Sequence, residues 1–389
     1  MEAAAAPEGT TPGSGGRGRL PLIFGLGALV ALVVMVALIV RDPSSAQDGT
    51  VRSLPDDALT IGVQDDQLTT ASVADLSVRL DRLKETGVTV TRVEVTWADV
   101  AATRPADPAN PDDPAYVWAH TDAVFDGLRQ RDIRAMVVFS ASPRWANENR
   151  GREWAPDPGA LGDFARAFAS RYTADRVDII AYEPWNEPNN PGYLMPQWNG
   201  VGPDATAASP AAYAALAGAV DDAVSGHDAA LVGPSTAEIS MSAPGVGGVS
   251  VEDFVNGYAE VADAPTFDAT AQHFQPAGLR ATMDVRVPSI MSLPTLIELF
   301  DRIAPGRDLL ITRIAFATPP GGLTADEQAT ALSDMFALLR ATPRVRLMMW
   351  GPLQDTIQNP AGLITSAGAA KPSLDVFTRT PKELAVETP

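Results

Sequence analysis

Tyr182-Glu183-Pro184-Trp185-Asn186-Glu187-Pro188-Asn189 is the stretch of this chain best equipped for chemistry. It delivers a carboxylate, an amide and an indole just beyond Val177-Asp178-Ile179-Ile180-Ala181, which reads as a buried strand. The prolines at 184 and 188 fix φ and stop both a sheet ladder and a helix. Loops carried on rigid strands are where functional groups concentrate. Hydrogen bonding from the amide and carboxylate, beside a flat indole face, is the chemistry such a run offers. A solvated Pro-rich turn is the plain alternative, but a chance turn rarely spends Trp, Asn and Glu together.

Similar groups recur wherever an apolar run gives way to a loop. Trp97 ends the second such run and Trp145 follows the third. Asn186 and Glu187 follow the fourth, Glu238 the fifth, and His273 belongs to the sixth. Thr312 and Arg313 belong to the seventh and Trp350 to the eighth. Indole faces can stack on the C–H face of a sugar ring while amide and carboxylate groups take its hydroxyls. A single Trp at such a position is as readily explained by packing, and a lone His by a satisfied core. Together they suit a neutral oligo- or polysaccharide.

These residues need elements to hold them. Leu59-Thr60-Ile61-Gly62-Val63 reads as a first strand, and Leu76, Leu80 and Leu83 at helical spacing mark the helix after it. Strand-like and helix-like patterns then alternate to Val345–Trp350, with eight strand candidates in all. Such a series indicates a parallel sheet. Eight units predict a closed (β/α)8 TIM barrel over residues 58–380, with the site at the C-terminal ends of its strands. No glycine-rich phosphate fingerprint follows the first strand, which counts against an open nucleotide-binding sheet.

Composition narrows the chemistry. The formal net charge is −19 over 389 residues, with no basic cluster to neutralise phosphates, so nucleic acid is not an expected partner. There is no cysteine, which excludes disulfides, thiol catalysis and zinc–thiolate sites. Three histidines, His120, His227 and His273, make a His-rich metal site a poor expectation, and no cofactor is expected.

Residues 1–20 read as a disordered basic tail rich in Ala, Gly, Pro, Ser and Thr, with Arg17 and Arg19, and residues 21–40 carry no charge. Twenty such residues suffice to cross a bilayer as a helix. The expectation is a single-pass membrane anchor at 21–40, a linker over 41–57, an extracytoplasmic barrel and a short tail over 381–389. Ser44-Ser45-Ala46 offers a cleavage site, which would make the protein secreted.

The chain resembles the clan A glycoside hydrolases, of the cellulase-family or family 39-like kind, through most of residues 58–380. Trp185-Asn186-Glu187-Pro188 is similar to their strand-four motif, and Ser142-Pro143-Arg144-Trp145-Ala146 to their loop after strand three. Tyr116-Val117-Trp118 with Asp122, Gln272-His273-Phe274, and Gly362-Leu363 with Lys371-Pro372-Ser373 resemble further segments. The resemblance implies that Glu187 is the general acid/base and that Asn186 binds the hydroxyl next to the reacting carbon. It also implies a nucleophilic carboxylate at the end of strand seven, where this chain has Leu310-Ile311-Thr312-Arg313.

A guanidinium stays protonated and has no lone pair for an anomeric carbon. A neighbouring Arg also favours ionised Glu187, which cannot protonate a leaving oxygen. A Glu187–Arg313 ion pair in a catalytically impaired, glycan-binding cleft is therefore expected. Two alternatives stay open. One is a working hydrolase with a relocated carboxylate, Glu238 or Asp355, since inverting enzymes tolerate about 6.5–9.5 Å between carboxyls. The other is a non-catalytic scaffold that inherited the barrel.

Overall fold

Parallel strands buried on both faces read as near-continuous apolar runs, and eight of them close on themselves in this chain. A computed structural model describes residues 54, 58–239, 242–274, 293–320 and 322–386. The strands are β1 (Ala58–Gln64), β2 (Val90–Thr96), β3 (Arg134–Ser140), β4 (Ile179–Glu183), β5 (Ala230–Thr236), β6 (Ala269–Phe274), β7 (Asp308–Ile314) and β8 (Val345–Trp350). Each pairs in parallel with the next, and β8 pairs with β1 through Thr60↔Leu347 and Val63↔Trp350, so the barrel is closed.

A helix follows every strand. The first, α1 (Val73–Glu85), starts on Ser72, whose side chain accepts from the backbone of Asp75, and ends with Arg82 and Lys84 near its carbonyls. The third, Pro158–Arg171, begins on Asp157 with a proline in its first turn. The seventh, Ala325–Arg340, carries a full capping box between Thr324 and Glu327. The eighth, Pro372–Arg379, is only 8 residues long and buries Phe377. Residues Glu383–Ala385, within the expected tail, add an antiparallel strand to β1.

The core has two layers. Val90, Met136, Ile180, Val232, Ala269, Ala271, Leu310, Leu347 and Met349 fill the barrel interior. A larger shell between strands and helices includes Phe125, Phe164, Phe168, Trp97 and Trp350. Because side chains alternate along a strand, Val90 pointing inward sends Arg92 and Glu94 inward as well. The interior is thus apolar at one end and charged towards the C-terminal mouth.

The tail, anchor and nearly all of the linker expected at 1–57 lie outside the described residues. Among the described residues no helix is long and apolar enough to cross a membrane.

Candidate functional site

Arg92 lies at the centre of the barrel with no exposed side-chain surface. Its Nε donates to Glu183 Oε1 at 2.9 Å and its Nη2 to Glu183 Oε2 at 2.5 Å. The same Nη2 donates to Asn186 Oδ1 at 2.8 Å, and Nη1 to Gln64 Oε1 at 3.3 Å. The Ser235 hydroxyl completes the shell of Glu183. Such a pair survives burial only when geometry is good and further hydrogen bonds satisfy both partners, as here. Asn186 is therefore positioned by a fixed cation, not by the loop alone.

Glu187, one residue further, is 2% exposed and sits at φ 41°. Left-handed backbone at a residue with a full side chain is rare and costs about 1–3 kcal/mol, and such strain clusters at functional sites. The loop that holds it folds back on itself. Asn190 N–H donates to Glu187 O at 2.9 Å, and Trp185 Nε1 donates to Tyr193 O at 2.8 Å. Asn189 clamps the loop to the one after β5, bonding Ala237 through both amide atoms and Val249 O through Nδ2.

The Glu187 carboxylate is paired with His273 and Asn190. His273 Nδ1 lies 2.9 Å from Oε1, and Asn190 Nδ2 donates to Oε2 at 2.7 Å. Burial alone would raise the carboxyl's pKa, but hydrogen bonds from His273 and Asn190 and the nearby charge of Arg313 bring it below the usual value. Burial holds His273 below its ordinary value, so the ring is neutral near pH 7 and helps Glu187 through a hydrogen bond. An ionised carboxylate only accepts, which makes Nδ1 the donor and leaves Nε2 as a bare acceptor. That Nε2 is buried and has no partner among the described residues.

The direct Glu187–Arg313 ion pair expected from the sequence is not formed. Arg313 Nη2 donates to Asp66 Oδ2 at 3.1 Å. The reason lies in how β7 reaches the mouth. Gln272 pairs with Ile311 but His273 pairs with Arg313, so β7 bulges at Thr312. A bulge re-aims the side chains beyond it, and here it puts Arg313 in register with inward-facing His273. Asp66, just beyond β1, also accepts from Gln64 Nε2 at 2.6 Å. A chain of contacts thus runs from Glu183 through Arg92, Gln64 and Asp66 to Arg313. Arg313 still reaches Glu187 through its charge.

Other expected site residues divide sharply. Trp97 is fully buried and stacked on Phe164, with ring centroids 5.2 Å apart. Trp350 is fully buried against Phe316 at 5.8 Å. Neither offers a face to a ligand, which corrects the stacking role expected for both. Strand ends also cap the layer between strands and helices, and a Trp there can face either way. Trp145 is half-buried, edge-on to Trp97 at 5.4 Å, with Nε1 donating to Ala101 O at 2.7 Å.

Asp355 accepts from Lys371 Nζ at 2.8 Å and from the Gly362 N–H at 2.7 Å. A Cβ at Gly362 would lie 2.4 Å from Asp355 N. Asp355, Gly362 and Lys371 therefore lock the segment after β8, which corrects the candidacy of Asp355 as a relocated carboxylate. Glu238 is half-buried, two residues beyond β5 and next to the Asn189 clamp.

Sequence reasoning missed several groups. Trp154 and Trp198 are half-buried on the loops after β3 and β4. Arg150 lies 4.3 Å over the Trp154 ring, and Trp198 Nε1 donates to Gly247 O at 3.1 Å. Tyr193, also half-buried, feels the charges of Glu187, Glu94, Arg313 and Asp66. Glu94 carries the one inward carboxyl at the β2 end of the mouth. Two tryptophans in loops already marked for chemistry were the available signal for the first pair; nothing marked Glu94.

No protein-family model matches the chain, and no curated protein is similar to it in sequence. Solved structures share its fold. A family 39 glycoside hydrolase from the gut symbiont Bacteroides cellulosilyticus WH2 matches with TM-score 0.55 at 18% identity, over 83% of this chain and 63% of that one. A GH5_18 protein from Streptomyces cattleya in complex with Manβ1-4GlcNAc matches with TM-score 0.59 at 16% identity, over 83% and 82%. The exo-beta-1,4-mannosidase Op5Man5 from Opitutaceae bacterium strain TAV5 matches with TM-score 0.57 at 12% identity, over 82% and 58%. The chain spans less than two thirds of the first and third of these. The likeness is one of fold: a glycoside hydrolase-like (β/α)8 barrel.

Proposed function

We propose that the barrel binds a neutral, β-linked glycan at its C-terminal mouth, and that Arg313 closes the usual double-displacement route there. The observation that carries this reading is an ionised, strained Glu187 whose charge reaches the half-buried Tyr193. Trp145 and Trp154 stand on the loop after β3, and Tyr193 and Trp198 on the loop after β4, where rings can stack on sugar faces. The acidic chain suits an uncharged ligand, and similar folds include an exo-beta-1,4-mannosidase and a complex with Manβ1-4GlcNAc.

Double displacement requires a carboxylate nucleophile about 5–5.5 Å from a protonated acid. Arg313 can supply no nucleophile, and Glu187, held ionised, has no proton to give. Titration calorimetry with Manβ1-4GlcNAc tests the binding. Trp145→Ala and Trp154→Ala should each weaken it about tenfold, or about 1.4 kcal/mol. Trp350→Ala should instead destabilise the fold by about 3–5 kcal/mol, because that ring is core. Binding indifferent to both loop tryptophans, or no binding, would defeat the proposal.

The same reading keeps the anchor. The uncharged run at 21–40 tethers an extracytoplasmic barrel to the cell membrane. Expressed whole, the chain should pellet with membranes and become soluble when 21–40 is deleted. Recovery of the intact, uncleaved chain in the soluble fraction would rule the tether out.

A further inference from the structure

We propose that Glu94 is the proton donor for single-displacement hydrolysis of a β-glycoside in this cleft, with Glu187 as the base. The inference rests on the glycan reading above and adds an activity to it. Arg313 leaves strand seven without a carboxylate at the mouth, and Asp355 is committed to Lys371. Glu94 is a carboxyl that strand β2 itself carries to the mouth.

Its placement follows from strand geometry. On β2 it lies two residues beyond Arg92 on the same inward face, one layer nearer solvent, and it is half-buried. It accepts a hydrogen bond from the Ser140 hydroxyl at the end of β3. Arg92, one layer below Glu94, donates to Asn186, the chain neighbour of Glu187, and the charge of Glu187 reaches Glu94. An inverting pair stands about 6.5–9.5 Å apart, which leaves room for a water, and that is the separation single displacement requires of Glu94 and Glu187.

The protonation states complement this geometry. Burial pushes the Glu94 carboxyl up, against the Ser140 hydrogen bond and the Arg92 charge, and the charges of Asp66 and Glu187 add to the rise. Glu187 is displaced the other way. Two carboxyls whose surroundings push them apart are an acid and a base.

In the step that follows, Glu94 transfers its proton to the glycosidic oxygen as the bond from that oxygen to the anomeric carbon breaks. A water adds to the opposite face of that carbon and gives its proton to Glu187. One water is consumed, and an alcohol and a hemiacetal of inverted configuration leave. Glu187 then carries the proton that Glu94 lost, and exchange with solvent restores both.

The test uses the full-length chain with Manβ1-4GlcNAc and with para-nitrophenyl and dinitrophenyl β-mannosides. Proton NMR of the first product should show inversion. Glu94→Gln should lower kcat on the disaccharide by about a hundredfold or more. It should leave KM within about threefold and cost less than about tenfold on the dinitrophenyl glycoside, whose leaving group needs no proton. A merely structural role would depress both substrates alike, and circular dichroism checks that the variant is folded. Retention of configuration, equal losses on both substrates, or binding without turnover each overturn the proposal. Binding without turnover leaves the glycan reading standing, whereas no binding at all removes both.

Discussion

Replacing Arg92 by Leu should cost about 3–5 kcal/mol of stability, because it strands a buried carboxylate. Domains of this kind have about 5–15 kcal/mol in total, so the variant would be close to unfolding. Arg92 and Glu183 both have 0% side-chain exposure, and Arg92 supplies two of the hydrogen bonds on Glu183 and one on Asn186. Glu183→Leu should be comparably harmful, since it leaves a guanidinium without its counter-charge. The double substitution should recover most of the loss. Each ion pays several kcal/mol of desolvation, and that payment disappears when both leave. Urea midpoints of the three variants decide this. A single-variant loss below about 1 kcal/mol would mean that water reaches the pair. The recovered double variant should still bind glycan poorly, because Asn186 will have lost the cation that orients it.

That network also shows where the sequence was silent. The alternation of strands and helices was legible, because strands covered on both faces are apolar runs and helices keep one apolar stripe. Val90-Thr91-Arg92-Val93-Glu94-Val95-Thr96 looks, by contrast, like a half-solvated strand, with its charges on the wet side. Only barrel closure turns that face inward, and closure is a property of all eight strands. The tryptophans mislead for a related reason. At a strand end the choice between cleft and helix layer is set by a single residue of register, so Trp97 and Trp350 went to the core. Trp154 and Trp198 lie in irregular loops, where no period announces exposure. Glu187 stood out as a candidate through its prolines and its neighbours. Its partner did not, because Asp66, which draws Arg313 away, is 247 residues distant in sequence.

Arg313→Glu should create what the wild type lacks, a carboxylate facing Glu187 from strand seven. Two effects act together. The nearby positive charge that helps keep Glu187 ionised is removed, and a like charge takes its place, so Glu187 moves up towards a protonated state. The new carboxylate, placed by the same bulge and in register with His273, has a lone pair to offer an anomeric carbon. The expected result is turnover with retained configuration, at least about a hundredfold faster than any retaining turnover of the wild type. A fluorinated mannoside that traps covalent intermediates should label position 313, which peptide mass spectrometry can locate. Asp66 would face a second carboxylate in this variant, and Asp66→Asn added to Arg313→Glu should raise the yield of folded protein. If the folded variant binds glycan but neither labels nor retains, Arg313 does not occupy the nucleophile's place. The strand-seven frame would then have to be abandoned, while an inverting activity through Glu94 would be untouched.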